Sequence, residues 1–226
     1  MKLIFAAAFI LCGLVFAFGQ NEQSPIVEKD IEYKDWTYKT VQNDIDLNLR
    51  KFATGKKLVM VVYFAPWCGN WKHDLPFVKS MYEKYKANGF DVVAVGEYDP
   101  VDSMKNHINE FKLPFAVVWE SNARTAKQTS LHYSYRKSAG DTRNWGSPWY
   151  VFLEGGKVAS SGEVLAKTAS IVNGELIQPE AEKFIRTKLG LPAEAGTGLT
   201  GKANDIEACE SEKKTTTALI KPETKP

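Results

Sequence analysis

The chain has 226 residues, 44% of them hydrophobic and 12% aromatic, with a formal net charge of +2 and three cysteines. That composition supports a buried core and excludes wholesale disorder, and the length suits one domain with extensions. A near-neutral balance argues against a dedicated nucleic-acid binder, and three scattered cysteines fit neither a disulfide-stapled scaffold nor a zinc cluster.

The chain opens Met1-Lys2 and then runs apolar from Leu3 to Phe18, broken only by Gly13. A positive start, a stretch of roughly 16 apolar residues against the ~20 needed to span a bilayer, and a polar sequel predict a signal peptide over 1–19. An uncleaved anchor is the alternative. Ala17 and Gly19 place small residues where a signal peptidase reads, and Cys12 leaves with the signal. The expected product is exported, periplasmic or secreted, with the ER lumen as the lesser alternative and no membrane association after cleavage. Its two cysteines, Cys68 and Cys209, then meet a compartment that permits disulfides.

Residues 20–30 read as a polar tether. From Ile31, the aromatics Tyr33, Trp36 and Tyr38 predict one edge-like strand, and 44–52 a loosely periodic helix. Leu58 to Ala65 is a continuous apolar run, the pattern of a central strand covered on both faces. A helix follows over about 69–88, with Leu75, Val78, Tyr82 and Tyr85 on one stripe and Asn88-Gly89 as its stop. Asp91 to Glu97 predicts a second buried strand. Asp99 and Pro100 supply an N-cap and first-turn proline for a helix facing inward with Met104, Ile108 and Phe111. Phe115 to Trp119 is a third strand.

Residues 120–147 are too long for a simple connection and predict an insertion with local structure. Trp149 to Leu153, a Gly155-Gly156 turn and Lys157 to Ala159 read as a β-hairpin. A closing helix over 179–189 turns Ala181, Ile185 and Leu189 inward and stops at Gly190. Residues 191–226 carry few large apolar groups, so a disordered tail is expected there. Strands alternating with helices predict an α/β fold with a mixed sheet.

Cys68 lies where the strand ending at Ala65 gives way to a helix. Unpaired N–H groups at a helix N-terminus stabilise a thiolate, and thiols so placed have pKa values of ~3.5–7.5. Desolvation by Trp67 and Trp71 opposes this effect. The run Val62-Tyr63-Phe64-Ala65-Pro66-Trp67-Cys68-Gly69, with Pro76 eight residues beyond the cysteine, resembles the active-site strand and helix of the thioredoxin superfamily. The exported TlpA-like thioredoxins and redoxins are the nearest branch. Ser147-Pro148 ahead of the hairpin matches the family's second landmark.

The resemblance covers roughly 31–190 and implies a thioredoxin-like fold, a central mixed sheet flanked by helices. The insertion precedes the hairpin, and Pro148 is implied to be cis and to present backbone groups to an extended substrate. The family's Cys-x-x-Cys motif places its second cysteine at Trp71, which cannot resolve a mixed disulfide.

Three readings stay open. Cys68 acts as a monothiol resolved by an external thiol. Alternatively Cys209, whose neighbours Glu207 and Glu210 are acidic, supplies the resolving thiol, since a long loop costs little closure entropy. In the third reading the fold is a catalytically inactive module that binds extended polypeptide through Trp67, Trp71, Ser147 and Pro148. The implied partners are protein thiols or disulfides, or extended polypeptide, with no nucleic acid.

A peroxiredoxin motif would need threonine at 65 and proline at 61, where Ala65 and Val61 stand. His73 is five residues past Cys68, about 500° of helical rotation, and is expected to face solvent with Lys72 and Asp74. His107 and His132 are isolated, so neither a metal nor a cofactor is expected. Glu97, at the end of the second strand, is a minor candidate for proton transfer at Cys68. Tyr133, Tyr135, Trp145 and Trp149 read as core or insertion packing, with a substrate groove as the alternative.

Overall fold

The structure is a computed structural model that describes residues 22–192. The expected signal segment with Cys12, and the tail from 193 with Cys209, lie outside the described residues.

In chain order the strands are β1 (Gln23–Ser24), β2 (Val27–Lys34), β3 (Thr37–Thr40), β4 (Asp46–Asn48), β5 (Leu58–Phe64), β6 (Phe90–Gly96), β7 (Ala116–Trp119), β8 (Trp149–Glu154), β9 (Val164–Val172) and β10 (Glu175–Leu176). The α-helices are α1 (Leu49–Ala53), α2 (Gly69–Tyr85), α3 (Val101–Phe111), α4 (Leu131–Ser138) and α5 (Gln178–Leu189). Eight strands form a mixed sheet in the order β2-β9-β8-β5-β6-β7-β3-β4, and β1 pairs in parallel with β10. The three central strands β5, β6 and β7 run parallel, as helical crossovers require.

The alternation hidden in β5's continuous apolar run divides two cores. Leu58, Met60, Val62 and Phe64 face α2, α3 and α5, meeting Trp71, Leu75, Met104, Ile185 and Leu189. Val59, Val61 and Tyr63 face the other side, where Leu49, Ala53, Tyr33, Tyr135 and Trp149 pack. Both faces are dry, so β5 has no polar face to show in its sequence.

Several local expectations are corrected. Residues 23–24 and 27–30, expected as tether, belong to β1 and to β2, whose Ile31 and Tyr33 point inward while Glu28, Lys29 and Asp30 face solvent. The single aromatic strand is two, β2 and β3. The helix expected over 44–52 is β4 followed by the five-residue α1, capped by Asn48. Asp99 does not cap α3; Pro100 holds that position, and no side chain caps it. The second hairpin strand is not 157–159 but β9, which lies between β8 and β2. The insertion contains a 3-10 turn (Arg124–Thr129) and α4. Helix α5 matches its expected face and ends at Gly190, which adopts φ 72°.

Candidate functional site

Two connections bring the site together. Strand β5 ends at Phe64, and Cys68 is the N-cap residue of α2 with extended backbone (φ −74°, ψ 121°). Strand β8 runs antiparallel to β5 with Trp149 opposite Tyr63, so the preceding Ser147–Pro148 segment arrives beside the end of β5. The Ser147–Pro148 peptide is cis. Ser147 Oγ accepts the Ala65 N–H at 3.0 Å, and the Cys68 thiol donates to the Ser147 carbonyl at 3.1 Å.

Cys68 is partly exposed and unpaired among the described residues. No acidic residue lies in the first turn of α2. The free N–H groups there present partial positive charge to the sulfur. A pocket of about 280 Å³ opens on Cys68, with Trp67, Trp145, Asn70, Arg143 and Glu22 among its walls. Asn70 Nδ2 and Arg143 Nη1 both donate to Glu22 Oε2, at 2.7 and 3.2 Å. Arg143 Nη2 also donates to the Pro148 carbonyl at 2.9 Å, tying the insertion to the cis-proline loop.

The expected docking residues separate. Trp67 is half-buried and meets Trp145 edge-on, ring centroids 5.5 Å apart. Trp71, expected on the same patch, is fully buried and is corrected to a core residue. Its indole N–H donates to His107 Nε2 at 2.9 Å, and its ring packs on Phe64. Ser147 and Pro148 are buried too, and Ser147 meets the thiol through its backbone carbonyl.

His107 is held neutral. Burial, with the charge of Lys72 nearby, lowers its pKa to about 4, which keeps Nε2 free to accept from Trp71. Trp71→Phe is expected to cost about 1–3 kcal/mol, because it leaves that buried acceptor unpaired. Urea denaturation checks this; a loss below about 0.5 kcal/mol would contradict it.

Asp74, expected on the solvent face of α2, is fully buried. Its Oδ2 accepts from the Tyr150 hydroxyl at 2.7 Å and the Leu176 N–H at 2.9 Å. Burial outweighs both hydrogen bonds and raises its pKa to about 6. The folded state therefore holds this proton more tightly than the unfolded chain, whose value is 3.8. Its contribution to stability is full below about pH 4 and falls by about 3 kcal/mol as pH rises through 6. His107 works in the opposite direction, losing stability as pH falls from 6.5 towards 4, so the difference between two proteins isolates Asp74. Relative to wild type, Asp74→Asn is expected to gain about 3 kcal/mol between pH 4 and pH 7, measured by denaturant titration at each pH. A pH-independent difference would contradict the assignment.

Glu97 does not reach the thiol by any contact in the structure. Its carboxyl accepts a short hydrogen bond from Ser121 and faces His132 Nδ1 at 4.0 Å, fully buried. Burial, then the neighbouring Glu120, pushes its pKa well up. His73 is exposed. The residues that sequence reasoning missed are Glu22, Asn70 and Arg143, polar groups from three separate segments that only the fold assembles.

A family model described as Redoxin matches residues 29–174. A thiol-disulfide oxidoreductase ResA of Oceanobacillus iheyensis is 25% identical over 127 residues, 54% of this chain and 66% of that protein. A protein disulfide-isomerase of Drosophila melanogaster is 33% identical over 81 residues, 35% of this chain and 15% of that one. This chain therefore spans less than two thirds of either relative's length. Two solved thiol:disulfide interchange proteins share the fold. The one from Chlorobium tepidum has TM-score 0.50 at 15% identity, covering 72% of this chain and 98% of that one. The one from Bacteroides has TM-score 0.50 at 16% identity, covering 78% and 95%. No helix among the described residues is long and apolar enough to cross a membrane. With the family model covering the domain from β2 to the end of β9, and a thioredoxin-like sheet carrying Cys68 against the Ser147–Pro148 loop, the chain belongs to the redoxin family.

Proposed function

We propose that the chain is an exported thiol–disulfide exchange protein that works as a monothiol through Cys68. The observation that carries this reading is the partly exposed Cys68 at the start of α2, with its sulfur on the Ser147 carbonyl and an open pocket before it. Trp71 stands where the family's dithiol motif has its second cysteine, and it is buried against His107.

The exchange balances without any net oxidant. The Cys68 thiolate attacks one sulfur of a partner disulfide, a Cys68–partner bond forms, and the partner's other sulfur leaves as thiolate. An external thiolate then attacks the mixed disulfide, restoring the Cys68 thiolate and leaving with the partner's sulfur. Export rests on the apolar 3–18 run, which gives a periplasmic or secreted product.

The test is turnover of a peptide disulfide by the full chain and by Cys209→Ser, at increasing concentrations of a small external thiol. Rates proportional to that thiol and equal in both proteins are expected. A rate independent of external thiol that vanishes in Cys209→Ser would assign resolution to Cys209 and overturn the monothiol reading. No turnover in either would leave the fold as a module that binds extended polypeptide.

A further inference from the structure

The cations around Cys68 are not equivalent. Arg143 is held by Glu22 and Asp141, and Arg136 by Asp141. Arg124 and Lys127, both on the 3-10 turn of the insertion, meet no carboxylate among the described residues. They are instead stacked on the two tryptophans of the pocket. The Arg124 guanidinium lies 4.8 Å from the Trp67 ring centroid and 5.9 Å from that of Trp145, and Lys127 Nζ lies 4.7 Å from Trp145.

Lys127 spends one proton on Asn144 Oδ1 at 2.8 Å and keeps two. Arg124 is exposed, so its donors are open to solvent. The aromatic faces orient both charges without neutralising them. Trp67 is the residue immediately before Cys68, and Trp67, Cys68 and Trp145 line one pocket. The single carboxylate on that pocket wall, Glu22, is already bound by Asn70 and Arg143.

We propose that this Trp67–Trp145 face selects an acidic polypeptide, with Arg124 and Lys127 pairing with carboxylates next to the reacting cysteine of the partner. The inference rests on the exchange reading above and names its substrate class. An anionic occupant is favoured because the face offers two unspent positive charges on an apolar floor, and a basic occupant would have to desolvate against them. It also opposes intrinsic chemistry: a free thiolate reacts more slowly with a disulfide flanked by negative charge. A preference for acidic peptides would therefore come from the protein.

The experiment uses the full chain carrying Cys209→Ser and two peptides alike except for glutamates or lysines flanking one cysteine, each joined by a disulfide to thionitrobenzoate. Cys68 forms the peptide mixed disulfide and releases thionitrobenzoate, which is followed by absorbance. Rates are normalised to those with a small free thiol. The acidic peptide is expected to react about tenfold faster, the advantage shrinking with added salt. In Arg124→Glu/Lys127→Glu the preference is expected to reverse. Equal normalised rates, or a preference that survives the double substitution, would overturn the proposal. Reaction with neutral dithiodipyridine separates the two levels. If Cys68 fails even there, the exchange reading falls; if it reacts normally while the peptides do not differ, only the acidic preference falls.

Discussion

Cys68→Ser is expected to lose disulfide exchange completely, falling to the rate that the external thiol achieves alone. The reason is chemical rather than positional. A serine hydroxyl at the start of α2 keeps the hydrogen bond to the Ser147 carbonyl and nearly the same volume, yet forms no bond to a disulfide sulfur. Stability is accordingly expected to change by less than about 1 kcal/mol, since the site is partly exposed and well accommodated. Peptide-disulfide turnover and a denaturation curve on the same preparation separate the two effects. Residual turnover in the folded variant would show that another group carries the chemistry.

The largest expected loss of stability comes from Asp141→Ala. Asp141 Oδ2 lies 3.2 Å from Arg136 Nη1 and 2.9 Å from Arg143 Nη2, and its Oδ1 accepts from the Arg143 backbone N–H at 2.9 Å. Burial pulls the Asp141 pKa up, but the hydrogen bonds and charge of Arg143, with Arg136 beside it, outweigh burial and hold it below the usual carboxylate range.

Arg136 is fully buried, and of its guanidinium nitrogens only Nη1 has other company, the Arg143 carbonyl at 3.2 Å. Removing the carboxylate leaves a buried charge without its ion-pair partner, a loss of about 3–5 kcal/mol. The same change removes one of the two carboxylates that hold Arg143, which ties the insertion to the Pro148 carbonyl, so exchange is expected to slow as well. Gly146 reinforces the point: at φ 61°, a Cβ there would sit 2.1 Å from Arg136 Nη1, so the guanidinium fills space that only glycine leaves open. Urea midpoints for wild type, Asp141→Asn and Asp141→Ala are expected to fall in that order. A loss below about 1 kcal/mol for Asp141→Ala would contradict the role given to the ion pair.

What the sequence disclosed and what it hid follow from the range of the interactions. Helix α5 was legible because Ala181, Ile185 and Leu189 repeat at helical spacing and Gly190 ends it, all local signals. Strand β5 was legible because both its faces are dry. Strand β2 was not, because Glu28, Lys29 and Asp30 face solvent at the sheet edge and look like a tether until β9 pairs with them. Strand β9 contains Lys167, Thr168 and Ser170, and its pairing with β8 and β2 on either side decides it rather than propensity.

The site divides in the same way. Cys68, Trp67 and the Ser147–Pro148 loop stood out as landmarks on short segments. Asp74 looked like a surface acid because its partners, Tyr150 and Leu176, lie 76 and 102 residues away. Trp71 looked like a docking residue because nothing near it in the chain announces His107. Arg124 and Lys127 sat unremarked in a polar insertion until the fold laid them on Trp67 and Trp145.

The central claim is that Cys68 exchanges disulfides without a resolving partner of its own. Intact-mass spectrometry of the full chain with Cys209 in place, mixed with one equivalent of a peptide disulfide and no other thiol, tests it most directly. One peptide adduct, mapping to Cys68, is expected to persist until external thiol is added. An adduct that never forms, or one that clears without added thiol, would contradict it.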